Sequence, residues 1–135
     1  MQTVTVWKKD LEFESIYDGH SIVLNGATGE DGKRLGFGPK ALLLSGLAGC
    51  SGIDVVDILA KMKIPFETLE IVAEAEQTQE HPKVFKEINI LYRVKADPEF
   101  QGRVERAVSL SLQKYCGVAA MLSKHTDIIS KVEIV

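Results

Sequence analysis

GPKALLLSGLAGCSGIDVVDILAKM, residues 38–62, is the stretch on which the fold turns. Pro39 suits the first turn of a helix, where its missing N–H would have had no intrahelical partner. Beyond it Leu42, Leu43, Leu44, Leu47, Ala48, Ile53, Val55, Val56, Ile58 and Leu59 fall on every side of a helical wheel. A helix apolar all round is a helix buried all round. Gly46, Gly49 and Gly52 interrupt it, each costing about 1 kcal/mol against alanine in a helix interior. Spaced by three, they form a ridge without side chains that another backbone can approach closely. Cys50 sits among them, and Asp54 follows one turn on.

Before this helix, TVTVW (residues 3–7) is β-branched and aromatic, residues 11–16 alternate, and SIVLN (21–25) follows the hairpin signal Asp18-Gly19. Three strands in a meander are expected. Residues 26–38 hold five glycines and predict an irregular loop. After the helix, Pro65 disfavours helical geometry just before it. FETLEIVAEAEQ (66–77) and VFKEINILYRVKA (84–96) alternate as half-buried strands, the second with one irregularity. Asp97-Pro98 caps a helix expected to run to about Tyr115. Cys116-Gly117 breaks it, VAAMLSKH makes a shorter one, and residues 128–135 form a last strand.

The predicted order is βββ-α-ββ-αα-β, an α+β fold in one domain over residues 1–135. The central helix carries more apolar surface than six strands can enclose, so a second copy is expected against the glycine ridge as an obligate homodimer. With 16 Lys and Arg against 19 Asp and Glu and a net charge of -3, no basic stripe marks a nucleic-acid partner. Lys40, Asp54 and Asp57 cut the apolar run short of the roughly 20 residues of a membrane span. The N-terminus lacks a secretory signal pattern. The expected location is the cytoplasm, with no membrane partner.

Two cysteines, Cys50 and Cys116, lack the CxxC or histidine spacing that completes a zinc site. They read as inert buried thiols or as a redox couple. Cys50 lies some three turns into its helix, beyond strong reach of the dipole, and depends on a cation from elsewhere. Cys116, at a helix break, could receive the amides of the short helix that follows, and on these grounds is the better nucleophile of the two. Asp54 and Asp57 need partners inside an apolar helix; a cap or a lysine is the expected one. His20, His81 and His125 show no ligand spacing and read as surface residues.

GPKALLLSGLAGCSGIDVVDIL, HPKVFKEINILYRV and AVSLSLQKYCGVAAML resemble the three blocks of the OsmC/Ohr family of bacterial thiol peroxidases, most of all its YhfA-like branch. The resemblance implies an intertwined homodimer whose central helices pack together. It also implies reduction of organic hydroperoxides by a cysteine pair, with no metal or organic cofactor and a dithiol as reductant. By position Cys50 would be the peroxidatic thiol and Cys116 the resolving one. Family peroxidases carry glutamate after the helix-opening proline, where this chain has Lys40, and an arginine in the N-terminal hairpin region. The one arginine before the helix here is Arg34, the candidate for activating peroxide. A non-catalytic dimer holding a hydrophobic small molecule in an interface pocket is the alternative, and a redox-sensing dimer a third reading.

Overall fold

A computed structural model describes all residues, Met1–Val135. The chain divides into two compact units, Met1–Leu43 and Leu44–Val135, and the long helix begins in the first and continues into the second.

The first unit is an antiparallel meander of β1 (Val4–Lys9), β2 (Glu12–Tyr17) and β3 (His20–Asn25). Asp18 and Gly19 both take positive φ (48° and 79°), the backbone a two-residue hairpin turn requires. Val6, Glu14 and Val23 stand abreast on one face, and Trp7, Phe13 and Leu24 on the other. Both faces leave apolar side chains exposed, Trp7 and Ile22 among them. The glycine-rich loop is more ordered than its composition suggests. It folds back through single bridges, Thr28 with Arg34 and Leu24 with Phe37, and Asn25 N donates to Phe37 O at 2.9 Å.

The second unit is built on α1 (Pro39–Lys61), the sheet β4 (Thr68–Gln77), β5 (Phe85–Lys95) and β6 (Asp127–Ile134), and the helices α2 (Gln101–Leu110) and α3 (Gly117–Leu122). β4 and β5 pair antiparallel with a bulge where two residues between Phe85 and Ile88 of β5 face one between Ala75 and Gln77 of β4, the irregularity expected in the alternation of residues 84–96. β6 joins β5 in parallel after the α2–α3 crossover. Alternation holds on β5, where Ile88, Ile90, Tyr92 and Val94 are buried. They meet Leu47, Val55 and Leu59 of α1 and Val104, Ala107 and Val108 of α2 in one core. Fully burying each such aliphatic side chain contributes about 1.5–3 kcal/mol.

A single chain leaves part of α1 uncovered, as the expectation of a second copy requires, and the reading of its length needs correction. Within one chain α1 is buried along a single stripe, Leu47, Ser51, Val55 and Leu59, while Ile53 is 75% exposed and Val56 44%. A spacing of four fills one face of a helix, and the opposite face has no cover in this chain. By length and composition α1 is also long and apolar enough to cross a membrane, despite its charges. Its stripe packs in the core as that of a globular domain helix does.

The helix after Asp97 differs too. Asp97 caps as expected, its carboxylate accepting from Glu99 N at 3.0 Å, but Pro98–Phe100 is a tight 3-10 turn and α2 stops at Leu110. Residues Ser111–Tyr115 form a π turn, closed by Cys116 N donating to Ser111 O at 2.7 Å. The wider turn re-aims the backbone just before Cys116, and such turns occur often at functional sites.

Candidate active site

Cys50 projects from the middle of α1, partly buried. Cys116 is the N-cap of α3: its backbone is extended (φ -73°, ψ 105°), and its Sγ accepts from Ala119 N at 3.3 Å. The π turn brings this cap against α1 although 66 positions separate the two cysteines. Cys50 Sγ, Cys116 Sγ and an Asp54 carboxylate oxygen all lie within 4.8 Å of one another. Cys50 and Asp54 are one helical turn apart and so share a face.

Behind the thiols runs a buried polar chain. Tyr92 Oη and Ser51 Oγ are 2.6 Å apart, Ser51 Oγ and Ser111 Oγ 2.9 Å, and Ser111 Oγ reaches Asp54 Oδ2 at 3.1 Å. A hydroxyl has one proton, and an ionised carboxylate only accepts. With Asp54 ionised, Ser111 therefore donates to Asp54, Ser51 to Ser111, and Tyr92 to Ser51. Tyr92 stays a donor: burial pushes its phenol up to about 12, against the pull of Ser51, with Cys116 and Asp54 adding to the rise. The chain fixes α1 to β5 and to the π turn, and it holds the Asp54 carboxylate beside the sulfurs.

The electrostatics reverse one expectation. Burial pushes the Cys116 thiol up to about 11, and the neighbouring Cys50 adds to the rise. The Ala119 and Val118 amides pull the other way and lose. A cap on a six-residue helix does not offset desolvation. Cys116 is 3% exposed, protonated at neutral pH, and unsuited to attack first. The consequence for stability has a definite sign. Between the ordinary thiol value of 9.0 and about 11, the unfolded chain binds fewer protons than the folded one, so stability present below pH 9 falls as pH rises through that window. Denaturant midpoints measured from pH 8 to 11 should fall with pH, and Cys116→Ser should flatten part of that fall.

The remaining sequence candidates are distributed as follows. Asp57 has the lysine partner expected of it, Lys61 Nζ at 2.5 Å. Asp54 does not; a serine hydroxyl and two thiols surround it. The three histidines are exposed. Arg34 is exposed in the first unit, its backbone bridged to Thr28. Ser51, Tyr92 and Ser111 were not singled out from sequence, yet a signal existed. Ser111 falls on the Val104–Ala107–Val108 stripe of α2, and Tyr92 on the inward face of β5. A buried hydroxyl in such a place needs a partner.

An α+β fold in which a π-broken helix delivers one cysteine to another on a long apolar helix defines the class, and the chain belongs to the OsmC-like protein family, whose model matches residues 29–131. Among curated relatives it is 36% identical to Protein YhfA of Escherichia coli strain K12 over 137 aligned residues, which cover 100% of this chain and 98% of that one. A hypothetical protein from Aquifex aeolicus VF5 superposes with a TM-score of 0.86 at 27% identity, covering 99% of this chain and 95% of its own. The organic hydroperoxide resistance protein OhrB of Bacillus subtilis superposes at 0.68 and 14% identity over 98% and 96%, a likeness of fold alone.

Proposed function

We propose that the protein is a cysteine-based peroxidase that reduces organic hydroperoxides through a Cys50–Cys116 dithiol/disulfide cycle, acting as a homodimer in the cytoplasm. The approach of the two sulfurs beside Asp54 carries this reading. The names of the resistance proteins that share the fold supply the substrate class. In the cycle the Cys50 thiolate attacks the outer oxygen of ROOH. The O–O bond breaks, the departing alkoxide takes a proton from solvent and leaves as ROH, and Cys50 becomes a sulfenic acid. The Cys116 sulfur then attacks Cys50 as its own proton passes by way of Asp54 to the departing hydroxide, giving a disulfide and water. An external dithiol restores both thiols by exchange. Forming the S–S bond, about 2.05 Å long, requires the sulfurs to close from their resting separation by side-chain rotation.

Cys50 needs a cation to hold its thiolate, and Arg34, the one arginine before the helix, is the first candidate, with Lys40 or a residue of a partner chain as the others. Arg34→Ala should slow iodoacetamide alkylation of Cys50 at neutral pH several-fold while leaving the thermal midpoint nearly unchanged. Equal alkylation rates would remove Arg34 from the site. The reading as a whole is tested by adding one equivalent of cumene hydroperoxide to the reduced protein. A single Cys50–Cys116 disulfide should form, seen by intact mass and peptide mapping, faster than free cysteine reacts.

A second reading, a non-catalytic dimer holding a hydrophobic small molecule, draws on an apolar trough of about 710 Å³ walled by Gly49, Gly52, Ile53, Val56, Phe66 and Ile71. Thiols no faster than free cysteine would favour it.

A further inference from the structure

The same three side chains meet the requirements of a site for a soft divalent cation. Any three atoms within 4.8 Å of one another share a point no more than about 2.8 Å from each, close to the Zn–S distance of about 2.3 Å and Zn–O of about 2.0–2.2 Å. A contraction of roughly half an ångström therefore closes the shell. Two sulfurs and one carboxylate suit zinc and not magnesium or calcium, which take oxygen shells.

From this convergence we infer that the reduced protein binds one Zn²⁺ through Cys50, Asp54 and Cys116, with the fourth position open. Sequence spacing offered no CxxC or histidine pair to complete such a site; the fold instead brings Cys116 to Cys50 and Asp54 on α1. The support behind the ligands is also that of a metal site. Ser111 tethers Asp54 Oδ2 and is itself held by Ser51, which meets Tyr92. A carboxylate ligand is oriented by such an outer shell. Cys116 also borders a cavity of about 590 Å³ that includes Gln113 and Ser109, and Asp54 borders a separate one of about 490 Å³ with Tyr115 and Met62.

Both cysteines are free in the reduced chain, and a dication favours their thiolates and releases their protons. Bound metal occupies both sulfurs, and a disulfide removes two of the three ligands. Metal binding and oxidation therefore exclude each other. The site does not depend on the peroxidase reading, because a chain inert to peroxide would bind the cation equally well.

Titrating the reduced full-length protein with Co²⁺ tests this. The expected result is saturation at one equivalent per chain, with thiolate-to-cobalt charge transfer in the near ultraviolet and the visible bands of a tetrahedral ion, both lost on adding Zn²⁺. Cys50→Ser and Cys116→Ser should each lose the charge-transfer signature of a two-thiolate site. Asp54→Asn, which keeps an acceptor for Ser111, should weaken Zn²⁺ binding about tenfold or more against a chromophoric chelator. In the unsubstituted protein, one equivalent of Zn²⁺ should protect both thiols from alkylation, a readout that survives if a variant misfolds. Absence of the charge-transfer band, its persistence in Cys116→Ser, or unprotected thiols at one equivalent of Zn²⁺ would each overturn the site.

Discussion

Cys50→Ser should consume no organic hydroperoxide above the buffer rate, a loss on the order of 10³-fold or more, as expected when the group that attacks is removed. Cys116→Ser should behave differently. Its Cys50 should react once and stop at a sulfenic acid, trapped by dimedone, and excess peroxide should carry it on to sulfinic and sulfonic acids. The asymmetry follows from the site. Cys50 is partly open, whereas Cys116 is buried and holds its proton to about 11. If Cys50→Ser keeps turnover while Cys116→Ser is dead, the roles are reversed. If both variants retain turnover, the dithiol cycle is wrong.

Gly49→Leu should dissociate or unfold the protein. A Cβ added at Gly49 or Gly46 meets nothing of the rest of its own chain within 4 Å, so packing inside the chain does not require glycine there, and the large effect expected of leucine is one between chains. Gly52 differs, since a Cβ there would stand 2.9 Å from Ile71 Cδ1 and its absence serves packing inside the chain. Beside the open ridge, Ile53 and Val56 remain 75% and 44% exposed, and covering what is left would contribute about 1–2 kcal/mol for Ile53 and roughly half that for Val56. Sedimentation should find the unsubstituted chain dimeric at low micromolar concentration, and Gly49→Leu monomeric or aggregated. A well-folded monomer of the unsubstituted chain would end the dimer argument.

Local rules alone determined much of this protein. Alternation marked β4 and β5 with their inward faces, Asp18-Gly19 marked the hairpin, and Asp97-Pro98 marked a helix start, because each signal is a short-range steric or hydrogen-bond preference. The apolar wheel of residues 42–59 marked the helix at the centre of the larger unit. Three things were decided only by tertiary structure. The first was which stripe of α1 the chain itself buries, since a wheel apolar on every side does not choose a face. The second was the π turn at Ser111–Tyr115, which no propensity in SLQKY announces and which carries Cys116 to Cys50. The third was the balance at Cys116: the cap predicts a lowered pKa and burial raises it, and burial is a property of everything packed around the thiol. Asp54 was legible as a carboxylate in need of a partner. That Cys50 lies one turn before it was legible as well; that Ser111 and the Cys116 sulfur also flank it depends on contacts about 60 positions away along the chain, beyond any local pattern.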